Sequence, residues 1–281
     1  MRFTKMQGCG NDYVYVNCFE ESISSPQQLA CAVSDRHFGI GSDGLVLICP
    51  SKTADCKMRM FNPDGSESEM CGNAIRCVAK YVYDRDIIHK KEISVETLAG
   101  IKLITVNTDE NDIARTLTVD MGAPITEAAE IPVTAYESPV KDLKLTAFGR
   151  EFTFTCVSMG NPHAVAFIDE DVSTFEVEKY GRVFEQDAHF PHKANIEFVN
   201  VLSPTHLKMR VWERGTGETL ACGTGTCGTV AAACLNGISP REPVTVDLLG
   251  GQLTIEWNAE DGHIYMAGPA EFTFDGEYYN G

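Results

Sequence analysis

Two stretches of the chain repeat one pattern, and they decide how the rest of the sequence folds. Residues 58–77 read MRMFNPDGSESEMCGNAIRC, and residues 209–227 read MRVWERGTGETLACGTGTC. Each begins with Met-Arg in a strand-like run that ends in an aromatic residue, and each reaches Cys-Gly ten residues later. Small and apolar residues at helical spacing follow, so each stretch predicts a strand, a polar loop and a helix.

Further landmarks share the spacing of the two stretches. The cysteines Cys71 and Cys222 are 222 − 71 = 151 residues apart. Asn11, in Gly-Cys-Gly-Asn-Asp, and Asn161, in Met-Gly-Asn-Pro-His, are 161 − 11 = 150 residues apart. Two pairs of landmarks separated by nearly the same number of residues indicate an internal duplication. We expect two pseudo-symmetric domains in which equivalent residues face each other.

The predicted fold class is α/β (α+β). Strand-like runs outnumber helical runs in both copies and most are joined by short turns, so each domain should be a mainly antiparallel sheet curled around its long helix. The predicted N-terminal domain covers residues 1–118, with the tail 268–281 returning to it, and the C-terminal domain covers residues 119–267. A strand is predicted at about residues 130–135.

Composition limits the function classes. The net charge of −17 opposes binding to nucleic acid or to an anionic membrane, and no apolar run approaches the length of a membrane span. The 11 cysteines are odd in number and irregularly spaced, which argues against a disulfide framework. Strand-like sequence begins at Arg2 without a leader pattern. We therefore expect a soluble protein of the reducing cytoplasm.

Cys71 and Cys222 are the strongest candidate catalytic residues because they occupy matching places. Each should begin a helix, where free N–H groups and the helix dipole favour a thiolate. A single cysteine is more often a buried apolar residue, but both of these precede a glycine that lets a ligand approach the helix start. Two sulfurs on opposite faces of a ligand suit proton removal on one side and proton delivery on the other, which inverts a stereocentre.

Two binding motifs are weighed and disfavoured. A zinc site needs close ligand pairs such as Cys-x-x-Cys, and the spacings here are wrong, so we expect the other cysteines to pack. Residues 223–228 read G-x-G-x-x-G, a pattern typical of dinucleotide binding. That motif should follow a strand directly, whereas a polar loop at residues 215–220 intervenes here.

Polar residues near the two stretches are further candidates. Arg214 offers a planar fork for a carboxylate, although with Glu213 it also fits a solvated surface pair. His163 follows Asn161-Pro162 and is suited to bias which sulfur carries the proton. Asparagine is common in turns, and matched placement in the two copies favours Asn11 and Asn161.

Together these blocks resemble the diaminopimelate epimerase family, in family order and over nearly the whole chain. That family is a cofactor-independent isomerase of lysine and peptidoglycan-precursor synthesis, and it interconverts L,L- and meso-diaminopimelate. The resemblance implies barrel-like domains, each around a central helix, with the active site in the cleft between them. It also implies domain closure over the substrate, a homodimer, and neither cofactor nor metal.

The resemblance also assigns residues. Cys71 matches the proton donor and Cys222 the proton acceptor in the L,L-to-meso direction, and His163 and Glu213 match positions that tune the thiols. The implied substrate contacts at the helix starts and elsewhere are Gly72, Asn73, Gly223, Thr224, Asn11, Asn62, Asn161, Asn195, Glu213 and Arg214, with Arg214 on the distal carboxylate. Some members have a further contact from a glutamine, which is Gly44 here, so that contact is not carried over.

Two other functions stay open from the sequence. One is a related proline-type racemase of the same fold, and the other is a non-enzymatic redox sensor that uses Cys71 and Cys222 as a switch. The Glu213-Arg214 pair favours diaminopimelate, because a substrate with a second amino-acid end needs a partner for its distal carboxylate.

Overall fold

A computed structural model describes residues 1–134 and 136–279 and divides the chain into two compact units. The first unit combines Met1–Asp120 with the chain from Ala267 onward, and the second is Met121–Met266. Residues 280 and 281 of the predicted tail, and residue 135 of the strand predicted at 130–135, lie outside the described residues.

The first unit is a sheet with two helices, α1 (Pro26–Ser34) and α2 (Gly72–Asp84). Its strands are β1 (Arg2–Gly8), β2 (Asn11–Asn17), β3 (Leu45–Cys49), β4 (Cys56–Phe61), β5 (Glu67–Ser68), β6 (Glu92–Thr97), β7 (Gly100–Thr108), β8 (Ala114–Asp120) and the last strand of the chain, β18 (Glu271–Glu277). Strand β18 pairs with β1 in antiparallel register, with Arg2 opposite Glu277.

The second unit is also a sheet with two helices, α3 (Val177–Phe184) and α4 (Gly223–Leu235), and a short 3-10 turn at Val172–Thr174. Its strands are β9 (Leu143–Ala147), β10 (Arg150–Ser158), β11 (Pro162–Phe167), β12 (Asn195–Ser203), β13 (His206–Glu213), β14 (Gly217–Glu218), β15 (Val244–Leu248) and β16 (Gly251–Trp257). A further strand, β17 (Ile264–Gly268), begins in the second unit, and its last two residues belong to the first.

Strand pairing in the second unit repeats that of the first. In the first unit β1–β2, β3–β4, β4–β5 and β6–β7 are antiparallel, whereas β2–β3 and β4–β6 are parallel. In the second, β10–β11, β12–β13, β13–β14 and β15–β16 are antiparallel, whereas β11–β12 and β13–β15 are parallel. The long helix follows a two-residue strand in each unit, α2 after β5 and α4 after β14. This repeated topology confirms the predicted duplication and fold class.

Each long helix is enclosed by the strands of its own unit. Helix α2 packs on β1, β2, β6, β7 and β8, and every residue from Gly72 to Tyr83 is buried. Helix α4 packs on β10, β11, β12 and β16 and buries all but three of its 13 residues. A helix buried on nearly all sides needs no polar face, which explains the small and apolar sequence of α4.

Helix α4 ends where the sequence predicts. Gly237 has a φ of +68°, which glycine adopts without steric cost. The Gly237 N–H donates to Cys234 O and the Ile238 N–H donates to Ala233 O, so two carbonyls of the last turn are satisfied. This is the Schellman arrangement, and it fixes the direction in which the chain leaves the helix.

The strand predicted at residues 130–135 is wrong over its described part, which forms turns. The N–H groups of Glu130 and Ile131 both donate to Glu127 O, and Pro132 has no N–H to give to a ladder. Ile131 and Val133 are buried in the core of the second unit. Their apolar character therefore reflects packing beneath the sheet and not membership of it.

Aromatic rings fill the core of the second unit. The Phe152 ring centroid lies 5.0 Å from that of Tyr180, 5.3 Å from that of Phe184 and 5.9 Å from that of Phe198. Each such pair adds about 0.5–1.5 kcal/mol beyond the burial of its area.

Among the residues that the structure describes, no helix combines the length and apolar character that a membrane crossing requires.

Phe184→Ala should lower the free energy of unfolding of the second unit by about 3–5 kcal/mol, because the truncated side chain leaves a cavity. Phe184 is fully buried, and both tryptophans, Trp212 and Trp257, lie in the same unit. Guanidinium unfolding followed by tryptophan fluorescence therefore reports on it. Phe148→Ala, at a ring that is 66% exposed, should cost less than about 1 kcal/mol. Equal losses for the two variants would contradict this account of the core.

Candidate active site

Both candidate cysteines are helix N-caps. Cys71 precedes α2 with φ −132° and ψ 124°, and Cys222 precedes α4 with φ −117° and ψ 110°. The carbonyl of each accepts the first hydrogen bond of its helix, from Ile75 N and Thr226 N, both at 2.9 Å. Side chains at an N-cap lie beside N–H groups that have no partner inside the helix. Each thiol therefore stands where a helix presents donors and a partial positive charge.

The Cys71 thiol is oriented by an asparagine of β2. Its Sγ donates to Asn11 Oδ1 at 3.3 Å, and Asn11 Nδ2 donates to Asp43 Oδ2 at 2.8 Å. Because the carboxylate of Asp43 holds the amide nitrogen, the amide oxygen faces the thiol. The structure thus joins Asn11 and Cys71, two candidates that are 60 residues apart in sequence.

The start of α2 is held by a buried guanidinium that the sequence analysis did not single out. Arg76 is fully buried and donates to Gly72 O at 3.2 Å, to Asn73 Oδ1 at 2.9 Å and to Pro269 O at 3.2 Å. Two candidate residues, Gly72 and Asn73, are therefore fixed from within the core. The sequence feature that could have pointed to this role is a lone arginine in an otherwise uncharged helix start.

Gly44 lies against the carbonyl of Phe61, the residue that precedes Asn62. Asn62 closes the turn after β4, where its N–H donates to Ser66 O and its amide donates to Ser66 Oγ. At Gly44, a Cβ would lie 2.3 Å from Phe61 O and 2.8 Å from a ring carbon of Tyr13. In this structure the neighbouring backbone and the Tyr13 ring leave no room for a side chain at residue 44. The Gly44 carbonyl already accepts from Val14 N and Ser42 Oγ.

The Cys222 thiol lies in a drier and more acidic place. Its Sγ accepts from Gly225 N at 3.3 Å and lies 3.5 Å from Thr224 Oγ1. Burial raises the pKa of Cys222 well above its ordinary value, the charges of Glu213 and Glu197 raise it further, and the hydrogen bonds from Thr224 and Gly225 lower it. The expectation that the helix start favours a thiolate here stays a prediction, with burial and two carboxyl groups acting against the helix donors.

Asn195 links two of the candidate blocks through the backbone. Its Nδ2 donates to Pro162 O at 3.0 Å, and its Oδ1 accepts from Arg214 N at 2.8 Å. Arg214 also donates from Nη1 to His192 O, and its side chain reaches the surface. Glu213, the last residue of β13, accepts a hydrogen bond from Thr219. Asn195 therefore orients the Arg214 backbone.

His163 belongs to a buried polar chain. Its Nδ1 lies 2.7 Å from Glu197 Oε1 and its Nε2 lies 3.1 Å from Asn161 Oδ1, with both His163 and Glu197 fully buried. Burial raises the pKa of Glu197, whereas His163 lowers it. Sequence reasoning missed Glu197. The signal was an acid two residues after Asn195 in the buried strand β12, and therefore on the same face.

Glycines of α4 make room for this pair. A Cβ at Gly225 would lie 2.7 Å from Glu197 Oε1 and 3.2 Å from Cys222 Sγ, and one at Gly228 would lie 3.2 Å from His163 Cβ. The two glycines, one turn apart, let the helix approach β11 and β12 closely. This contact accounts for the last two glycines of the G-x-G-x-x-G run without a nucleotide.

A comparison with known protein families matches the parts of the sequence that contain these candidate residues. A family model described as diaminopimelate epimerase matches residues 3–127 and 155–273. The chain belongs to the diaminopimelate epimerase family.

Relatives and solved structures extend this result. The chain is 57% identical over 277 residues to the diaminopimelate epimerase of Acetivibrio thermocellus, covering 99% of this chain and 98% of the relative. It is 57% identical to that of Methanococcus maripaludis strain C6, covering 99% of each chain.

Solved structures of other proteins share the fold at low identity. A phenazine biosynthesis protein of the PhzF family from Bacillus anthracis is 18% identical, with a TM-score of 0.73 and coverage of 100% of this chain and 99% of that one. A probable proline racemase from Agrobacterium radiobacter is 11% identical, with a TM-score of 0.72 and coverage of 99% and 92%. These two likenesses concern the fold.

Gly225→Ala should destabilise the protein although alanine favours helices by about 1 kcal/mol over glycine. The new methyl group would meet Glu197 Oε1, and overpacking of a full core costs about 1–3 kcal/mol. Gly228→Ala, whose methyl group meets carbon at 3.2 Å, should cost less. Denaturant unfolding of the parent and of the two variants ranks their free energies of unfolding. A Gly225→Ala protein more stable than the parent would rule out this packing.

Cys222 should be alkylated slowly at neutral pH, because its raised pKa keeps it a thiol. Below the pKa the thiolate fraction rises about tenfold per pH unit, so the rate constant should still climb between about pH 8 and 10, whereas that of a cysteine in an unstructured model peptide levels off above its pKa of about 8.5. Site-resolved mass spectrometry after timed iodoacetamide treatment measures both. A rate at Cys222 that levels off below about pH 8 would show that the helix start dominates after all.

Proposed function

We propose that this protein is an amino-acid epimerase that interconverts L,L-diaminopimelate and meso-diaminopimelate. Full-length relatives that are 57% identical carry the name diaminopimelate epimerase, which supports the substrate. The observation that carries the mechanism is that a cysteine caps the central helix of each unit. Two thiols in equivalent places supply an acid and a base, so the reaction needs no cofactor and no metal.

In the L,L-to-meso direction Cys222 is the base and Cys71 is the acid. As the Cα–H bond breaks, the Cys222 thiolate takes the proton, and the Cys71 thiol delivers its own proton to the opposite face of the carbanion. The two sulfurs finish with exchanged protonation states, so they act as a coupled pair that holds one proton. Burial and the nearby carboxyl groups raise the pKa of Cys222, so this direction starts once Cys222 has given up its proton, and the resulting thiolate is then a stronger base because of its higher pKa.

Charge on the carbanion is the main barrier, and the helix starts are suited to lower it. The N–H groups of Gly72 and Asn73 in one unit, and of Gly223 and Thr224 in the other, hold the reacting α-carboxylate in this proposal. Donors fixed before the reaction stabilise developing charge without the cost of reorganising. The hydrogen bonds from Arg76 to Gly72 and Asn73 support such fixed placement in the first unit.

The remaining contacts recognise the rest of the substrate. Arg214 binds the distal carboxylate, and Glu213 binds the distal ammonium group as well as tuning Cys222. The amide-bearing contacts are Asn11, Asn62, Asn161 and Asn195. His163 tunes the thiol chemistry through its place between Glu197 and Asn161, which the 2.7 Å and 3.1 Å distances support.

The larger assembly follows from the family resemblance. We propose that the domains 1–118 with 268–281 and 119–267 close over the substrate in the cleft between them. Exclusion of water from that cleft strengthens the electrostatic interactions of the site. We also propose a homodimer that works in the cytoplasm.

The test of function is direct turnover. Purified protein under reducing conditions is incubated with L,L-diaminopimelate, and the stereoisomers are separated by chiral chromatography. Formation of meso-diaminopimelate supports the proposal. L-Proline is the comparison substrate, because the fold is shared with a probable proline racemase. Inversion of proline alone would favour the racemase, and no inversion of either by folded, reduced protein would contradict an epimerase and favour the redox sensor.

Removing either thiol should stop the reaction in both directions. Cys71→Ala and Cys222→Ala each delete one half of the acid–base pair, and loss of such a group costs about 10²–10⁴-fold in rate. The matched control is Cys234→Ala, because Cys234 lies at the far end of α4, where its thiol donates to Pro240 O. The measurement is kcat/KM with L,L-diaminopimelate and with meso-diaminopimelate as substrate. A Cys222→Ala protein with more than a tenth of the parent kcat/KM would overturn the assignment.

A further inference from the structure

A second pair of thiols lies in the first unit, apart from the candidate catalytic residues. Strands β2 and β3 are parallel, and their register pairs Val16 with Leu47 and Asn17 with Ile48. The Cys18 N–H continues this ladder with a 2.8 Å bond to Ile48 O. The next step of the register therefore sets Cys18 beside Cys49.

The two side chains point to the same face of the sheet. Val16 and Leu47, two residues earlier on each strand, belong to one apolar core, and both Cys18 and Cys49 pack against its edge. Adjacent strands lie about 4.7–4.9 Å apart, which falls within the Cα separations that a disulfide bridges, about 4.4–6.8 Å. Each thiol shifts the pKa of the other, as expected for neighbouring sulfur atoms.

Both thiols are also partly open to solvent, unlike the buried cysteines of the core. A reagent can therefore reach them without unfolding of the unit. Reactive cysteines are recognised by partial exposure together with a positive environment that favours the thiolate. Cys49 has such an environment, because its register partner on β4 is Lys57, and Arg59 lies two residues further along the same strand.

The electrostatics separate the two thiols. The hydrogen bond from Cys18 lowers the pKa of Cys49, and the charges of Arg59 and Lys57 act in the same direction, against burial and a small opposing effect of Glu67. The same hydrogen bond raises the pKa of Cys18, and burial adds to that increase. One thiol of the pair is thus prepared to attack and the other holds the proton.

We propose that Cys18 and Cys49 form a redox-active dithiol site that reacts with low-molecular-weight disulfides and closes to an intramolecular disulfide. The site lies on neighbouring strands of the first unit and requires neither Cys71 nor Cys222. Formation of the Cys18–Cys49 disulfide does not depend on the proposed epimerase activity.

The chemistry balances with oxidised glutathione as the oxidant. The Cys49 thiolate attacks one glutathione sulfur, the glutathione S–S bond breaks, and one glutathione thiolate leaves. Cys18 then loses its proton to the solvent and attacks Cys49 Sγ in the mixed disulfide. The Cys18–Cys49 bond forms as the second glutathione leaves. Two protein thiols are oxidised and one glutathione disulfide is reduced to two thiols.

The test uses the full chain in buffers of defined oxidised and reduced glutathione ratio. Samples are quenched with acid, alkylated and digested without reduction, and peptides are identified by mass spectrometry. We expect a linked peptide pair that contains Cys18 and Cys49. Cys31, an exposed cysteine on α1, is the matched control and should carry only a mixed disulfide. A stable mixed disulfide on Cys49 without the link, or no modification while Cys31 reacts, would overturn the proposal.

Two variants assign the attacking sulfur. In Cys18→Ser, Cys49 keeps its cationic neighbours and should collect a glutathione mixed disulfide that does not resolve. In Cys49→Ser, Cys18 should react at least about tenfold more slowly than Cys49 does in the other variant, because the attacking species is the thiolate. Equal rates in the two variants would contradict the assignment, and circular dichroism of each confirms that both are folded.

Discussion

A helix enclosed by its own sheet offers chemistry only at its ends, and this constraint organises both halves of the molecule. Helices α2 and α4 bury almost every residue, so their sides are used for packing. Their first turns have N–H groups with no partner inside the helix. The residue that caps each helix therefore meets those donors, and in both units that residue is a cysteine. The position of the candidate chemistry follows from the packing of the helix.

The two copies share a topology but differ in their electrostatics. Cys71 is half-buried and donates to Asn11 Oδ1, whereas Cys222 is buried, accepts from Gly225 N and lies near the charges of Glu213 and Glu197. A duplicated backbone thus places its two thiols in different surroundings. In the proposed reaction, which needs an acid on one face and a base on the other, these surroundings distinguish the two sulfurs.

The sequence predicted what depends on local pattern and on repetition. The duplication, the two helix starts and the stop at Gly237 follow from spacing and from residue preferences that act within a few positions. The strand predicted at residues 130–135 failed because apolar residues such as Ile131 serve a core as readily as a ladder. Periodicity in a short run does not separate those cases.

The polar supports of the site depend on contacts between distant segments, so the sequence did not reveal them. Arg76 reaches Pro269 from the other end of the chain, and Glu197 meets His163 across neighbouring strands. The glycines at 225 and 228 looked like a nucleotide motif until their neighbours were known. Their role is to admit Glu197 and His163 beneath the helix.

The central claim is that two thiols act on opposite faces of one carbon, and isotope distribution at early conversion tests it most directly. The reaction of L,L-diaminopimelate in D₂O is stopped when less than about a tenth of the substrate has been converted. Mass spectrometry then measures deuterium separately in the recovered substrate and in the product. Two bases predict deuterium at the inverted carbon of the meso product and almost none in the recovered L,L-isomer, since each thiol handles one face. Equal deuterium in both isomers, or product without deuterium, would indicate a single base and contradict the account.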